Sequence, residues 1–152
     1  MKKMITSLAI AFALIQPLIA QQNDKLLGLV EKLGNNLESA VKSEDIDAVM
    51  SFYNDESKYL PDNAKLLQGK DEIREFWKLS FAYDILEFEM NAHSAEGNTN
   101  LIYETGIGRS KFSVNGGEME FHFKYVNVWK KINGKYILII DTYNRATPAS
   151  EK

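Results

Sequence analysis

Residues 115–143 read NGGEMEFHFKYVNVWKKINGKYILIIDTY. Two Asn-Gly pairs, Asn115-Gly116 and Asn133-Gly134, bracket a run in which apolar and polar side chains alternate. Asn-Gly suits the left-handed backbone of a two-residue hairpin, so each pair marks a reversal between antiparallel strands. Between them Met119, Phe121, Phe123, Tyr125, Asn127 and Trp129 fall on one face. Glu118, Glu120, His122 and Lys124 fall on the other. This period of two makes the second half of the chain a meander with one aromatic face.

Outward from that stretch, Tyr136 to Tyr143 reads as the last strand and the segment from Arg145 as a polar tail. Asp141 and Tyr143 share a face with Ile137 and Ile139 by simple alternation. Leu101 to Val114 is the preceding strand, where Gly106 and Gly108 suggest a bulge or bend. Earlier still, Leu86, Phe88 and Met90 alternate with Glu87, Glu89 and Asn91, and Glu96-Gly97-Asn98 reads as a turn.

Upstream of Asp84 the period is helical. Asn23 and Asp24 are cap candidates for a first helix, whose stripe is Leu26, Val30, Leu33, Leu37 and Val41. Ser43 is the cap candidate for a second, with Ile46, Val49, Met50 and Tyr53 inward. Gly69 and Asp71 open a third, with Ile73, Phe76 and Trp77 along one side. Lys58 to Leu60 is a short extended piece stopped by Pro61, and Asp62 to Gln68 reads as loop. Helices grouped before strands predict an α+β architecture: three N-terminal helices packed on a curved, mostly antiparallel sheet. The concave face should be only partly filled, leaving a cup.

The first 20 residues, MKKMITSLAIAFALIQPLIA, have a basic start, a short apolar run and Ala20 at a plausible cut. This is the pattern of a secretory signal peptide, which places the protein in the periplasm or outside the cell. Residues 21–152 then form one domain, large enough to bury a core unaided. There are no cysteines, which excludes disulfides and thiolate metal sites. The formal net charge of −3 gives no general reason to bind nucleic acid. No second apolar stretch is long enough for a stable membrane span once the leader is removed. The two histidines, His93 and His122, sit in different strands and form no metal motif, and nothing in the sequence asks for a cofactor.

The segments AVKSEDIDAVMSFYNDESKYLPDN, GKDEIREFW, YETGIG and VNVWKKINGKYILIIDTYN occur in that order across residues 25–145. In this order the chain resembles the nuclear transport factor 2-like superfamily, in its ketosteroid-isomerase-like and polyketide-cyclase-like (SnoaL-like) branch of small bacterial domains. The resemblance implies a cone-shaped fold and a homodimer. It also allows the isomerase device to be tested: a base Asp, a helical Tyr and a protonated Asp. The base position falls at or beside Pro61, with Asp62 one residue off. The tyrosine position falls on Leu37, and the later acid near Tyr125 or Val126. At least two members are missing, which argues against ketosteroid isomerase activity.

The remaining site candidates are polar groups on apolar faces. Glu104 shares a face with Ile102 and Gly106, and Asp141 with the apolar last strand. A buried carboxylate is costly unless paired or protonated, and two in one cup can have pKa values pushed apart. Glu104 and Asp141 are therefore the catalytic candidates. Structural pairing is the competing reading, Asp141 with Tyr53 or Trp77 and Glu104 with Arg109, Lys111 or Arg74. Tyr53, Trp77, Tyr125, Asn127, Trp129 and Tyr143 are the candidate pocket lining. The readings in order are a binding module for an unknown small molecule, a lyase- or isomerase-type enzyme with a carboxylate base, and a homodimeric association domain.

Overall fold

The structure is a computed structural model that describes residues 2–146, with side chains from Gln21 onward. The leader reading, on residues 1–20, lies outside the described side chains. Helix α1 spans Lys2–Lys42, α2 Ile46–Met50 and α3 Gly69–Ser80. Strands β1 (Lys58–Leu60) and β2 (Leu67–Gln68) lie between α2 and α3. Strands β3 (Ile85–Asn98), β4 (Leu101–Val114), β5 (Gly117–Ile132) and β6 (Lys135–Ala146) follow. The sheet has six strands in the order β2-β1-β6-β5-β4-β3. Only the β1–β6 pair is parallel. This is the expected α+β cone, with helices on the concave side of a mostly antiparallel sheet.

Several local expectations change. Asn23 and Asp24 do not cap a helix; they lie inside α1. Ser43 does not cap α2. Its hydroxyl instead donates to Ala40 O at 3.0 Å at the end of α1, and Glu44 follows in the left-handed region at φ 53. Asp45 is the α2 cap, with Oδ1 accepting from the Asp47 and Ala48 amides. The loop after Pro61 contains β2, paired antiparallel to β1. Strand β3 runs through Glu96-Gly97-Asn98, so the reversal falls at Thr99-Asn100. Both Asn-Gly hairpins form as expected, with all four residues at positive φ.

The bulge at Gly106 lies in its partner strand: β3 carries an extra residue, His93, between the Ala92–Gly106 and Ser94–Thr105 pairs. Strand β4 pairs with β5 without a register shift from Leu101 to Val114. Gly106 and Gly108 are needed because β5 rings lie across them. A Cβ at Gly106 would sit 2.3 Å from Tyr125 Cζ, and one at Gly108 2.3 Å from Phe123 Cζ. The register shifts lie in the flanking strands, at Leu86 and His93 of β3 and at Ile139 of β6. The first turns Leu86 outward and brings Ile85 in beside Phe88 and Met90. The last breaks the expected alternation of β6: the inward residues are Leu138, Asp141 and Tyr143, not Ile137 and Ile139.

The concave face is built in rows across the strands. Ile102, Trp129 and Leu138 form the row at one end. They pack into a core with Val30, Leu37, Val41, Val49 and Met50 from α1 and α2. The Phe52 ring meets Trp129 edge-on at 6.2 Å, and Leu138 N–H donates to Phe52 O at 2.7 Å. This end is closed.

Candidate functional site

The next row is polar, and it decides the site. Ala95, Glu104, Asn127, Asp141 and Tyr59 stand at one register across β3, β4, β5, β6 and β1. All five are buried. Beyond this row the strands carry Gly106, Tyr125 and Tyr143, then Gly108 and Phe123, then Ser110 and Phe121. The helices do not reach down to fill this part. A cavity of about 360 Å³ remains, walled by these aromatics and by Trp77, Phe76, Phe88 and Leu37.

Asp141 stands where the solid and hollow parts meet. Its Oδ2 accepts a 2.6 Å hydrogen bond from the Tyr53 hydroxyl. The described side chains give Oδ1 no hydrogen bond, and Asp141 forms part of the cavity wall. Burial pushes its carboxyl up to about 6, against the opposing pull of the Tyr53 bond. Burial and then the Asp141 charge hold the Tyr53 and Tyr59 hydroxyls well above their usual range, so both remain donors. The Trp77 indole N–H is buried without a formed hydrogen bond, on the side of Tyr53.

Asn127 and Glu104 lie one and two strands further along the same row and do not reach the cavity wall. Asn127 Nδ2 donates to Glu104 Oε1 at 3.0 Å. Glu104 is pushed up to about 7, mainly by burial, with Asp141 adding to the rise and the nearby Trp129 and Asn127 donors opposing it. The pairing expected with Arg109, Lys111 or Arg74 does not occur. Arg109 lies on the outer face with Glu87, Glu89 and Glu120, Lys111 pairs with Glu118, and Arg74 pairs with Asp47. Asp141 is indeed paired with Tyr53, as the structural reading had it.

Of the expected pocket residues, Trp77, Tyr125 and Tyr143 line the cavity. Tyr53 stands behind Asp141, while Asn127 and Trp129 are buried below the floor. Arg145 belongs to β6 and is not part of a tail. At the mouth its guanidinium lies 5.0 Å from the Phe121 ring centroid and 3.6 Å from Asp62 Oδ2. Both Arg145 and Asp62 line the cavity. The alternation of β6, continued past Tyr143, would have flagged Arg145. Among the described residues no group of three or more His, Asp or Glu side chains could hold a metal ion. No helix among the described residues is long and apolar enough to cross a membrane.

A cavity of this kind can take an apolar guest of modest size and offer it one hydrogen-bond acceptor at the inner end and one cation at the mouth.

Solved structures of low sequence identity share the fold. A ketosteroid isomerase-like protein from Erwinia carotovora atroseptica is 15% identical with a TM-score of 0.70, over 80% of this chain and 97% of that one. A candidate dehydratase of the NTF2-like family from Streptomyces avermitilis is 12% identical with a TM-score of 0.69, over 82% and 98%. A candidate calcium/calmodulin-dependent protein kinase II association domain from Xanthomonas campestris is 15% identical with a TM-score of 0.67, over 79% and 86%. No curated protein matches the chain. The model of the SnoaL-like domain matches residues 36–139, from the last turns of α1 into the first half of β6, and the protein belongs to that family.

Proposed function

We propose that the protein binds a small apolar molecule in the aromatic cavity, and that Asp141 Oδ1 is its polar contact. The observation that carries this reading is the Asp141 carboxylate at the inner end of a mostly aromatic space, with no hydrogen bond to Oδ1 among the described side chains. A guest with one hydroxyl or N–H donor and a flat apolar body fits that chemistry. Fluorescence titration with 2-naphthol tests it. Binding is expected at neutral pH, where Asp141 is ionised. Asp141→Asn should weaken it about tenfold, the worth of a hydrogen bond to a charged group. The substitution should leave naphthalene binding unchanged. If neither compound enters, or both lose equally, the reading fails.

The same oxygen favours a second reading, an enzyme of lyase or isomerase type with Asp141 as base. A carboxylate raised toward neutrality in a dry cavity is a stronger base than one in water. Faster exchange of the α-hydrogens of 2-tetralone in D₂O, abolished in Asp141→Asn, would support it. An exchange rate equal to that of buffer removes it.

A homodimer through the outer face of the sheet is compatible with both. Glu118 and Glu120 of that face are engaged in ion pairs along the sheet, and His122 Nε2 lies 3.2 Å from Glu120 Oε1. The apolar part is open instead: Ile107 is 64% exposed, Tyr103 44%, Val126 41% and Ile140 36%. Ile107→Glu with Val126→Glu should convert a dimer to a monomer in sedimentation equilibrium, with little change in stability. A monomeric wild type ends the idea. Export by the leader is part of the same proposal, and N-terminal sequencing of the mature protein should begin at Gln21.

A further inference from the structure

Among the described residues four buried side-chain polar atoms have no hydrogen-bond partner: Glu104 Oε2, Asn127 Oδ1, Trp129 Nε1 and Trp77 Nε1. The first three belong to one cluster. Glu104 and Asn127 are directly opposed on β4 and β5, and Trp129 follows Asn127 on the same face. Trp129 Nε1 lies toward Glu104 without completing a bond. One limb of the cluster is already formed, from Asn127 Nδ2 to Glu104 Oε1.

Counting donors against acceptors gives the missing part. The unmet atoms are two acceptors, Oε2 and Oδ1, and one donor, the indole N–H. If Glu104 is ionised, one acceptor is left over in a place that Glu104 and Asn127 expose to solvent by no more than 1%. An orphaned acceptor there is expensive. One hydrogen on Oε2 balances the cluster: Oε2–H donates to Asn127 Oδ1, and Oε2 can still accept from the indole. Acid and amide then form a closed ring of two hydrogen bonds across the strands.

We propose that Glu104 is held as a neutral carboxylic acid ring-bonded to Asn127, so that Asp141 is the only negative charge in the polar row. This rests on the reading of Asp141 as the polar contact of the cavity. The titratable groups facing the pair are Asp141 on β6, Tyr125 on β5 with Glu38 of α1 beyond it, and Tyr53 after α2. No Lys, Arg or His among the described residues pairs with Glu104, so none offsets an ionised form. The direction of the Glu104 shift, upward from 4.5 by burial, agrees with the hydrogen-bond count.

Carboxyl-carbon NMR of protein labelled in Glu and Asp reads the state directly. The Glu104 resonance should hold the acid position below about pH 6 and move to the carboxylate position near 7. Glu104→Gln reproduces the ring, since its amide donates to Asn127 Oδ1 and its carbonyl accepts from Nδ2. The sign for stability follows from the raised folded pKa. Stability carried by the proton is complete below 4.5 and is lost as pH rises through 7. The urea midpoint of wild type should therefore fall across that window, and Glu104→Gln should flatten the fall. In the same variant the Asp141 midpoint should stay in place, and 2-naphthol affinity should remain within about twofold of wild type at pH 6, against about tenfold lost in Asp141→Asn at neutral pH. A Glu104 carboxylate resonance at pH 5 overturns the proposal. So does a fall of the Asp141 midpoint in Glu104→Gln, which would mean that wild-type Glu104 is charged while Asp141 titrates. The wild-type titration decides the matter even if the variant fails to fold, and it is independent of whether 2-naphthol binds.

Discussion

At the closed end of the concave face, Ile102, Trp129 and Leu138 meet the apolar faces of α1 and α2, and each is 0% exposed. At the open end, Phe121, Phe123 and Tyr143 come from the same β5 and β6 and meet other rings around a void, one another included, with mutual ring centroids 5.8–6.4 Å apart. The strands are common to both ends, so the difference lies in what they face. The helices cover one end, and β4 contributes Gly106, Gly108 and Ser110 at the other. Where β4 is reduced to backbone, the β5 rings fold onto it, and space opens above them. Aromatic residues thus fill volume at one end and enclose it at the other.

Three substitutions would break or sharpen that contrast. Trp129→Ala removes a fully packed side chain and should cost about 4 kcal/mol in urea denaturation. Gly106→Val forces a side chain into the Tyr125 ring and to 2.5 Å from Asn91 O, and should cost about 3 kcal/mol. Its effect should be accompanied by loss of the cavity's probe binding, because the displaced ring forms the wall. Phe121→Ala is the mildest, at about 1 kcal/mol, since the ring is half-buried beside an existing void. Equal costs for Trp129→Ala and Phe121→Ala would mean that the two ends are packed alike.

The sequence made the meander legible because its signals are local. Asn115-Gly116 and Asn133-Gly134 specify their turns by backbone conformation alone, and the alternation from Met119 to Trp129 assigns faces within one strand. It also brought Glu104, Asn127 and Asp141 to the concave side. What it could not convey was register across strands. The Glu104–Asn127 bond depends on two segments pairing at one position. The Tyr53–Asp141 bond joins residues 88 apart in the chain. The meaning of Gly106 and Gly108 was hidden for the same reason: the rings that require them belong to another strand. Arg145 is hidden by composition, since a polar segment after Tyr143 looks like the end of a fold, although its period continues that of β6.

The extra residue at Ile139 shifts β6 by half a period, so the strand changes parity midway. Before the shift, Leu138 is the inward residue and belongs to the closed core; after it, Asp141 and Tyr143 are inward and belong to the cavity. One strand therefore encodes two surfaces in two different phases. The bulge is what keeps the carboxylate inside: paired straight through, the same sequence would present Ile140 and Thr142 to the cavity and turn Asp141 to the outside of the sheet, whereas deleting Ile139 would leave Asp141 inward on a regular strand.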